Sequence, residues 1–125
     1  MKKVVETSSA PAPIGPYSQA ILAGNTLYVS GQIPINPVDG ELRMADIRQE
    51  TQQVMANIEA ILNKEGMHFK DVVKCSIFLS DMGLFAEVNE IYGRHFNTDP
   101  PARETVEVSG LPKNVNVEIS CIAVK

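Results

Sequence analysis

Several features that often decide a function are missing from this chain of 125 residues. It contains neither HExxH, nor a P-loop, nor a Rossmann glycine pattern, nor GxSxG. Its two cysteines, Cys75 and Cys121, lie far apart and form no CxxC motif or disulfide framework. His68 and His95 fit no metal-ligand spacing, so we interpret both as non-catalytic. These residues therefore predict no metal site.

Positive charge and long apolar runs are also missing. The net charge of −4 provides no basic surface for nucleic acid or for an anionic membrane. The apolar runs are too short to span a membrane, and "MKKVVETSSAPAP" contains no secretory apolar region. Both cysteines lie in apolar, strand-like segments, which favours buried free thiols in a reducing compartment. The sequence predicts a cytoplasmic protein with no membrane partner.

The length and composition fit one soluble domain spanning residues 1–125. Neither a repeat nor a linker divides the chain. The proline-rich "SSAPAPIGPYS" predicts an extended segment on the surface. Two strands, Tyr17–Leu22 and Thr26–Gly31, are predicted to form a hairpin around Gly24.

Two amphipathic helices are predicted in the middle of the chain. In "ADIRQETQQVMANIEAILNKEG", apolar residues recur at helical spacing between an Asp46 cap, with Gln49 as in a capping box, and a Gly66 stop. The segment "GLFAEVNEIYGRHF" has a second stripe and a cap at Ser80 or Asp81. A strand, "DVVKCSIFLS", lies between them, with Val73 assigned to its apolar face. Two more strands, "ETVEVSG" and "NVNVEISCIAV", follow.

This order of elements predicts an α+β fold in which two helices cover one face of a sheet. Along the last strand, Val117, Ile119 and Cys121 would point to the core, whereas Glu118 and Ile122 would point to the other face. That second face is too mixed for a core and too apolar for water. We therefore expect it to pack against other subunits in a homo-oligomer.

Arg103 in "PPARETVEV" is the first candidate site residue. A guanidinium presents a rigid fork of donors that matches a carboxylate, and Arg103 stands where a loop becomes a strand. The alternative is a structural salt bridge. Glu118 is the second candidate, because a carboxylate on a partly dry face must be paired, hydrated or used; the alternative is a surface or interface glutamate. If the last two strands form a hairpin, Arg103 and Glu118 would be neighbours.

Four separated motifs resemble the RidA family, also called the YjgF or liver perchloric-acid-soluble protein family. They are "IGPYSQA", "VSGQIP", "VNEIY" and "PPARETVEVSGLPKNVNVEI", and together they span nearly the whole chain. The resemblance implies a chorismate-mutase-like α+β fold with a mixed β-sheet. It also implies a homotrimer with a central β-barrel and ligand clefts between subunits.

The resemblance implies hydrolysis of 2-imino acids or their enamine tautomers to 2-oxo acids and ammonia, without a metal or cofactor. Arg103 matches the arginine that binds the substrate carboxylate, and Glu118 matches the glutamate that orients the attacking water. The other cleft-lining or substrate-binding positions implied are Tyr17, Ser30, Gly31, Asn89 and Thr105.

Two positions depart from the family pattern. Thr105 stands where many deaminating members carry cysteine, and Glu104 stands where a small residue is usual. Strand alternation predicts that Glu104 points away from Arg103 and Thr105. Two alternatives remain open: a metabolite sensor that uses the same cleft without turnover, and an endoribonuclease, against which the acidic balance argues.

Overall fold

A six-stranded mixed β-sheet with two α-helices on one face forms the fold, so the predicted α+β class is confirmed. The computed structural model describes all 125 residues. Neither helix combines the length and apolarity that crossing a membrane requires. The strands are β1 (Lys2–Val5), β2 (Ala20–Ala23), β3 (Thr26–Gln32), β4 (Val72–Leu79), β5 (Ala102–Glu107) and β6 (Val117–Val124); the helices are α1 (Ile47–Lys64) and α2 (Phe85–Gly93).

Helix α1 lies over the centre of the sheet because its apolar stripe is continuous, as predicted. Its buried members include Val54, Ile58 and Ile61, which join Leu27 and Ile119 of the sheet in one core cluster. The Asp46 carboxylate caps the first turn by accepting a hydrogen bond of 2.8 Å from the Gln49 backbone N–H. The Gln49 side chain does not return this bond, so only half of the capping box forms. Gly66, with a φ of 68°, ends the helix as predicted.

The sheet order is β1-β2-β3-β6-β4-β5, and only the β4–β5 pair is parallel. The conditional hairpin of the last two strands is therefore wrong. Strand β4 lies between β5 and β6, and a loop with positive φ at Lys113 and Asn114 carries the chain past it. Strand β1 was not predicted, because "KKVV" is short and mostly exposed.

The start of β4 also differs from the prediction. Val72 pairs with Ala123, but Lys74 pairs with the next residue, Ile122, so Val73 is the extra residue of a β-bulge. The assignment of Val73 to the apolar face is therefore wrong: Val73 is 48% exposed, and Val72 occupies the position in the core that was predicted for Val73. Beyond the bulge, Cys75 faces the helices and is buried, as predicted for both cysteines.

Candidate functional site

Arg103 is the only one of the four arginines whose charge meets no carboxylate in the protomer. Arg43, Arg48 and Arg94 all form ion pairs on the surface. Arg103 is half-buried on the edge strand β5, directly opposite Cys75 of β4, and therefore on the side of the sheet that carries the helices. The structural salt bridge considered from the sequence is absent.

Neutral groups of α2 hold the Arg103 guanidinium. Its Nη1 donates a hydrogen bond of 2.8 Å to Asn89 Oδ1. Its central carbon lies 5.0 Å from the centre of the Tyr92 ring and 5.6 Å from that of the Phe85 ring, which is cation–π geometry. An open cavity of about 430 Å³ lies beside it, lined by Asn89, Tyr92, Gly93, Phe96, Pro100, Pro101 and Arg103.

Two buried hydroxyl groups near Arg103 lack a hydrogen-bond partner. One belongs to Thr105, which shares the face of Arg103 on β5, and the other to Tyr92. Burial raises the pKa of the Tyr92 phenol, and the adjacent Cys75 thiol raises it further. Unsatisfied buried polar groups are rare in native proteins, so these two hydroxyls make this edge of the sheet a candidate binding region.

Glu118 lies on the face of the sheet that the helices leave uncovered. Its carboxylate makes no hydrogen bond or ion pair within the protomer, and partial burial raises its pKa above the ordinary value. A carboxylate with a raised pKa is a stronger base than an ordinary glutamate and accepts a proton from water more readily. It borders a cavity of about 370 Å³ lined by Ile14, Tyr17, Ser30, Gly31, Ile33, Pro112 and Glu118.

A β-bulge in β3 makes room for the Glu118 carboxylate. Val29 pairs with Cys121 and Gln32 with Ile119, which leaves one extra residue at Ser30–Gly31. A Cβ on Gly31 would lie 2.4 Å from Glu118 Oε2, so any larger residue would displace that carboxylate.

Ser30 and Tyr17 complete the wall around Glu118. The Ser30 hydroxyl donates a hydrogen bond of 2.6 Å to the Ser18 carbonyl, so that proton is already engaged. Tyr17 is 49% exposed, and its hydroxyl accepts a hydrogen bond from the Ile14 backbone N–H. Tyr17, Ser30, Gly31 and Glu118 therefore lie together around one cavity.

The structure does not bring this group together with Arg103. Arg103 pairs with Cys75 and Glu118 pairs with Phe78 along the intervening strand β4. Cys75 and Phe78 are three residues apart in a strand and point to opposite faces. Within one protomer the predicted site residues thus form two separate groups, with Arg103, Asn89 and Thr105 on one side of the sheet and the Glu118 group on the other.

The predicted direction of Glu104 is confirmed. Its carboxylate binds Lys74 Nζ at 2.8 Å and also accepts a hydrogen bond from the Ser76 hydroxyl, both on the uncovered face. It therefore leaves Arg103 free.

Sequence reasoning missed Phe85 and Tyr92 as partners of Arg103, because both belong to an apolar stripe that is typical of core packing. No group of three or more His, Cys, Asp or Glu side chains could hold a metal ion.

Comparison with known proteins identifies the family. A family model described as endoribonuclease L-PSP matches residues 7–125. A RutC family protein from Pyrococcus horikoshii is 53% identical over 125 residues, which covers 100% of this chain and 99% of the relative. The chain belongs to the L-PSP family. This is the family that the four sequence motifs resemble, so that interpretation is confirmed.

Two other members of the L-PSP family bear on the activity. The 2-iminobutanoate/2-iminopropanoate deaminase of Bos taurus is 42% identical and covers 100% of this chain and 91% of its own length. The crystal structure of E. coli TdcF with bound serine superimposes with a TM-score of 0.94 at 38% identity, covering 98% of both chains. The fold is therefore that of the L-PSP family, whose members include imine deaminases.

Proposed function

We propose that this protein hydrolyses 2-imino acids and their enamine tautomers, such as 2-iminobutanoate and 2-iminopropanoate, to 2-oxo acids and ammonia. The observation that carries the proposal is the Arg103 guanidinium, which faces a cavity with no carboxylate to neutralise it. Because only one of its N–H donors is engaged, at Asn89, the others remain available for a planar anion. Every substrate in this class carries such a carboxylate.

The chemistry requires little beyond anchoring the substrate and placing a water molecule. Arg103 binds the carboxylate, and Glu118 orients water and accepts its proton as the oxygen attacks the C=N carbon. Glu118 then returns this proton to nitrogen, which gives a carbinolamine with one hydroxyl and one amino group. The hydroxyl proton moves to nitrogen through the same carboxylate, and as the C=O bond forms the C–N bond breaks and ammonia leaves. The raised pKa of Glu118 suits a group that must both accept and return a proton.

We further propose that each active site forms between two protomers of a homotrimer. Arg103 and Glu118 lie on opposite faces of one sheet, so one chain cannot bring both to one small substrate. The uncovered face exposes large apolar residues, among them Tyr28 at 49% and Val106 at 40%, which favours its burial against other copies. A neighbouring copy could then place its Arg103 edge beside the Glu118 group.

The relatives support a small amino-acid-like ligand. The cattle relative is named for the proposed reaction, and TdcF holds serine, a molecule of similar size with a carboxylate. The two buried free thiols, Cys75 and Cys121, favour a reducing compartment, and we assign the protein to the cytoplasm.

Binding without turnover is the second candidate function. Serine has no C=N bond to hydrolyse, so its presence in TdcF is also consistent with a metabolite sensor in this family. The family description further includes endoribonuclease activity. A chain with a net charge of −4 offers little attraction for RNA, and an RNA substrate is therefore a comparison arm of the test.

The decisive experiment is a coupled assay. An amino-acid dehydratase or oxidase generates the imine from several amino acids, and ammonia release is followed with and without the protein. We expect acceleration by the wild type and a fall in kcat/KM of about 100-fold or more for Arg103→Ala, because charge-assisted hydrogen bonds to the carboxylate are lost. Arg94→Ala removes a surface arginine paired with Glu90 and is the matched control.

Three outcomes would contradict the proposal. Tight binding of 2-oxobutanoate without acceleration would favour the sensor. RNA cleavage that disappears in Arg103→Ala, with no effect on imines, would favour a nuclease. Deamination that survives in Arg103→Ala would remove the arginine from the mechanism.

A further inference from the structure

Three residues along one face of α2 contact Arg103. Phe85, Asn89 and Tyr92 follow one another at spacings of four and three residues, which places them in a row along the helix. All three contact the guanidinium, two through their rings and one through a hydrogen bond. No other arginine of the chain has two aromatic rings beneath it.

This row is anchored in the core. Tyr92 is only 4% exposed, and its ring packs on Phe96 with centroids 4.7 Å apart. Val88 and Ile91, on the same helix, are each 1% exposed and fix its rotation. A free arginine side chain carries a large rotamer entropy, which would be lost on binding a ligand. Support from a fixed helix removes much of that loss in advance.

The chemical character of Asn89 is informative. Its Oδ1 accepts a hydrogen bond from Arg103 without adding negative charge. An aspartate would fit the same space and would pair more strongly, but it would neutralise the guanidinium. The other arginines are paired with Asp39, Glu87 or Glu90, so a neutral acceptor here is an exception within this chain.

We propose that Asn89 and Tyr92 are positioning residues that hold Arg103 in place while leaving its charge for the ligand. This deepens the proposed function and rests on it. It also changes the role of Asn89, which the resemblance implied to be a cleft-lining residue that meets the substrate. Asn89 acts through Arg103, and the aromatic ring of Tyr92, rather than its unpartnered hydroxyl, is the part that matters.

The test at Asn89 uses a nearly isosteric change of charge. In Asn89→Asp the new carboxylate pairs with Arg103, so we expect the KM for imine and the Kd for 2-oxobutanoate to rise by about 10- to 100-fold. Thermal stability should stay the same or increase, since a salt bridge is gained. Gln52→Glu makes the same change of charge on the exposed face of α1 and is the control, with KM unchanged.

The test at Tyr92 separates the ring from the hydroxyl. Tyr92→Leu removes the ring and should raise KM several-fold with a smaller effect on kcat. Tyr92→Phe keeps the ring, so its KM should be close to that of the wild type. If Tyr92 had only a structural role, both variants would lose stability, and KM would not change more than kcat.

The outcomes distinguish the two proposals. If the wild type neither turns over imines nor binds 2-oxobutanoate, the proposed function fails. If the wild type is active and Arg103→Ala is impaired, but Asn89→Asp keeps the wild-type KM and Kd, the positioning proposal is overturned and the proposed function stands. Failure of Tyr92→Phe to restore KM would overturn the role of the ring.

Discussion

Two glutamates at opposite faces of the sheet show how differently the same group is treated. Glu50 on α1 is 1% exposed, and its carboxylate accepts hydrogen bonds from the Asn116 backbone (2.6 Å), the Val117 backbone (3.1 Å) and the Asn116 amide (3.0 Å). Glu118 is the residue after Val117 and points to the uncovered face, where its carboxylate accepts no hydrogen bond from the protomer. The Glu50 carboxylate therefore has all its hydrogen-bond partners within one protomer, whereas the Glu118 carboxylate is partly desolvated and has none.

The difference separates polar groups that stabilise the fold from polar groups that the fold leaves without partners. On the helix-covered face, buried polar groups are satisfied, and the exceptions, Tyr92 and Thr105, lie beside Arg103. On the uncovered face, large apolar side chains such as Tyr28 are exposed, and the Glu118 carboxylate has no hydrogen-bond partner in the protomer. Groups that the fold leaves incomplete are thus the ones to which we assign binding and catalysis.

Removing the satisfied carboxylate should have the largest effect on stability. Glu50→Ala leaves the buried Val117 N–H and the partly buried N–H and side-chain amide of Asn116 without their acceptor, so we expect a loss of about 3 kcal/mol in the free energy of unfolding. Urea unfolding at fixed protein concentration measures it. Glu59→Ala, on the exposed side of α1, should change stability by less than about 0.5 kcal/mol. Equal effects of the two would abolish the contrast.

Crowding the unsatisfied carboxylate should affect activity instead. Gly31→Ala places a methyl group against Glu118 Oε2, the flexible end of its side chain, so the carboxylate must move while the backbone need not. We expect kcat to fall by about 100-fold, with a stability change below about 1 kcal/mol. Gly110→Ala meets no atom within 4 Å and is the control. A Gly31→Ala protein with wild-type kcat would show that Glu118 is not catalytic.

The smallest expected effect is on the pH dependence of stability. Burial raises the pKa of Glu118 in the folded state above 4.5, so its ionisation opposes folding as pH rises through that raised value. Glu118→Gln should therefore be more stable than the wild type at pH 7, and the difference should vanish at pH 4. Hydrogen bonds from Lys74 and Ser76 lower the pKa of Glu104, so Glu104→Gln should instead be less stable at pH 7.

Thermal unfolding of both variants across this pH range provides the measurement. A Glu118→Gln protein that is less stable than the wild type at pH 7 would mean that the Glu118 carboxylate has a partner in the assembled protein. In the same series, activity should begin to fall while the pH is still above 4.5 as the solution is made more acidic. The reason is that protonated Glu118 cannot accept a proton from water.

The sequence was most informative where local rules govern the structure. The stripe of α1, its Asp46 cap and the Gly66 stop follow from spacing and backbone preference, and all three are present. Strand alternation correctly separated Glu118 from the core and Glu104 from Arg103.

The sequence was less informative where pairing between distant segments decides the outcome. Neighbouring strands in a chain often pair, but β5 joins β4 in parallel, and this places Arg103 away from Glu118. The bulge at Val73 depends on register with β6, which one strand cannot reveal. Glu50 stood on a helix as an ordinary acidic residue, and only the approach of Asn116 shows why it is buried.

The most direct test of the central claim is complementation between two inactive variants. If Arg103 of one protomer serves the site of Glu118 in another, Arg103→Ala and Glu118→Ala proteins, unfolded and refolded together in equal amounts, should form some sites with both residues intact. Random assembly then predicts recovery of about one quarter of wild-type activity. Refolded mixed oligomers as inactive as either variant alone would contradict a site shared between protomers.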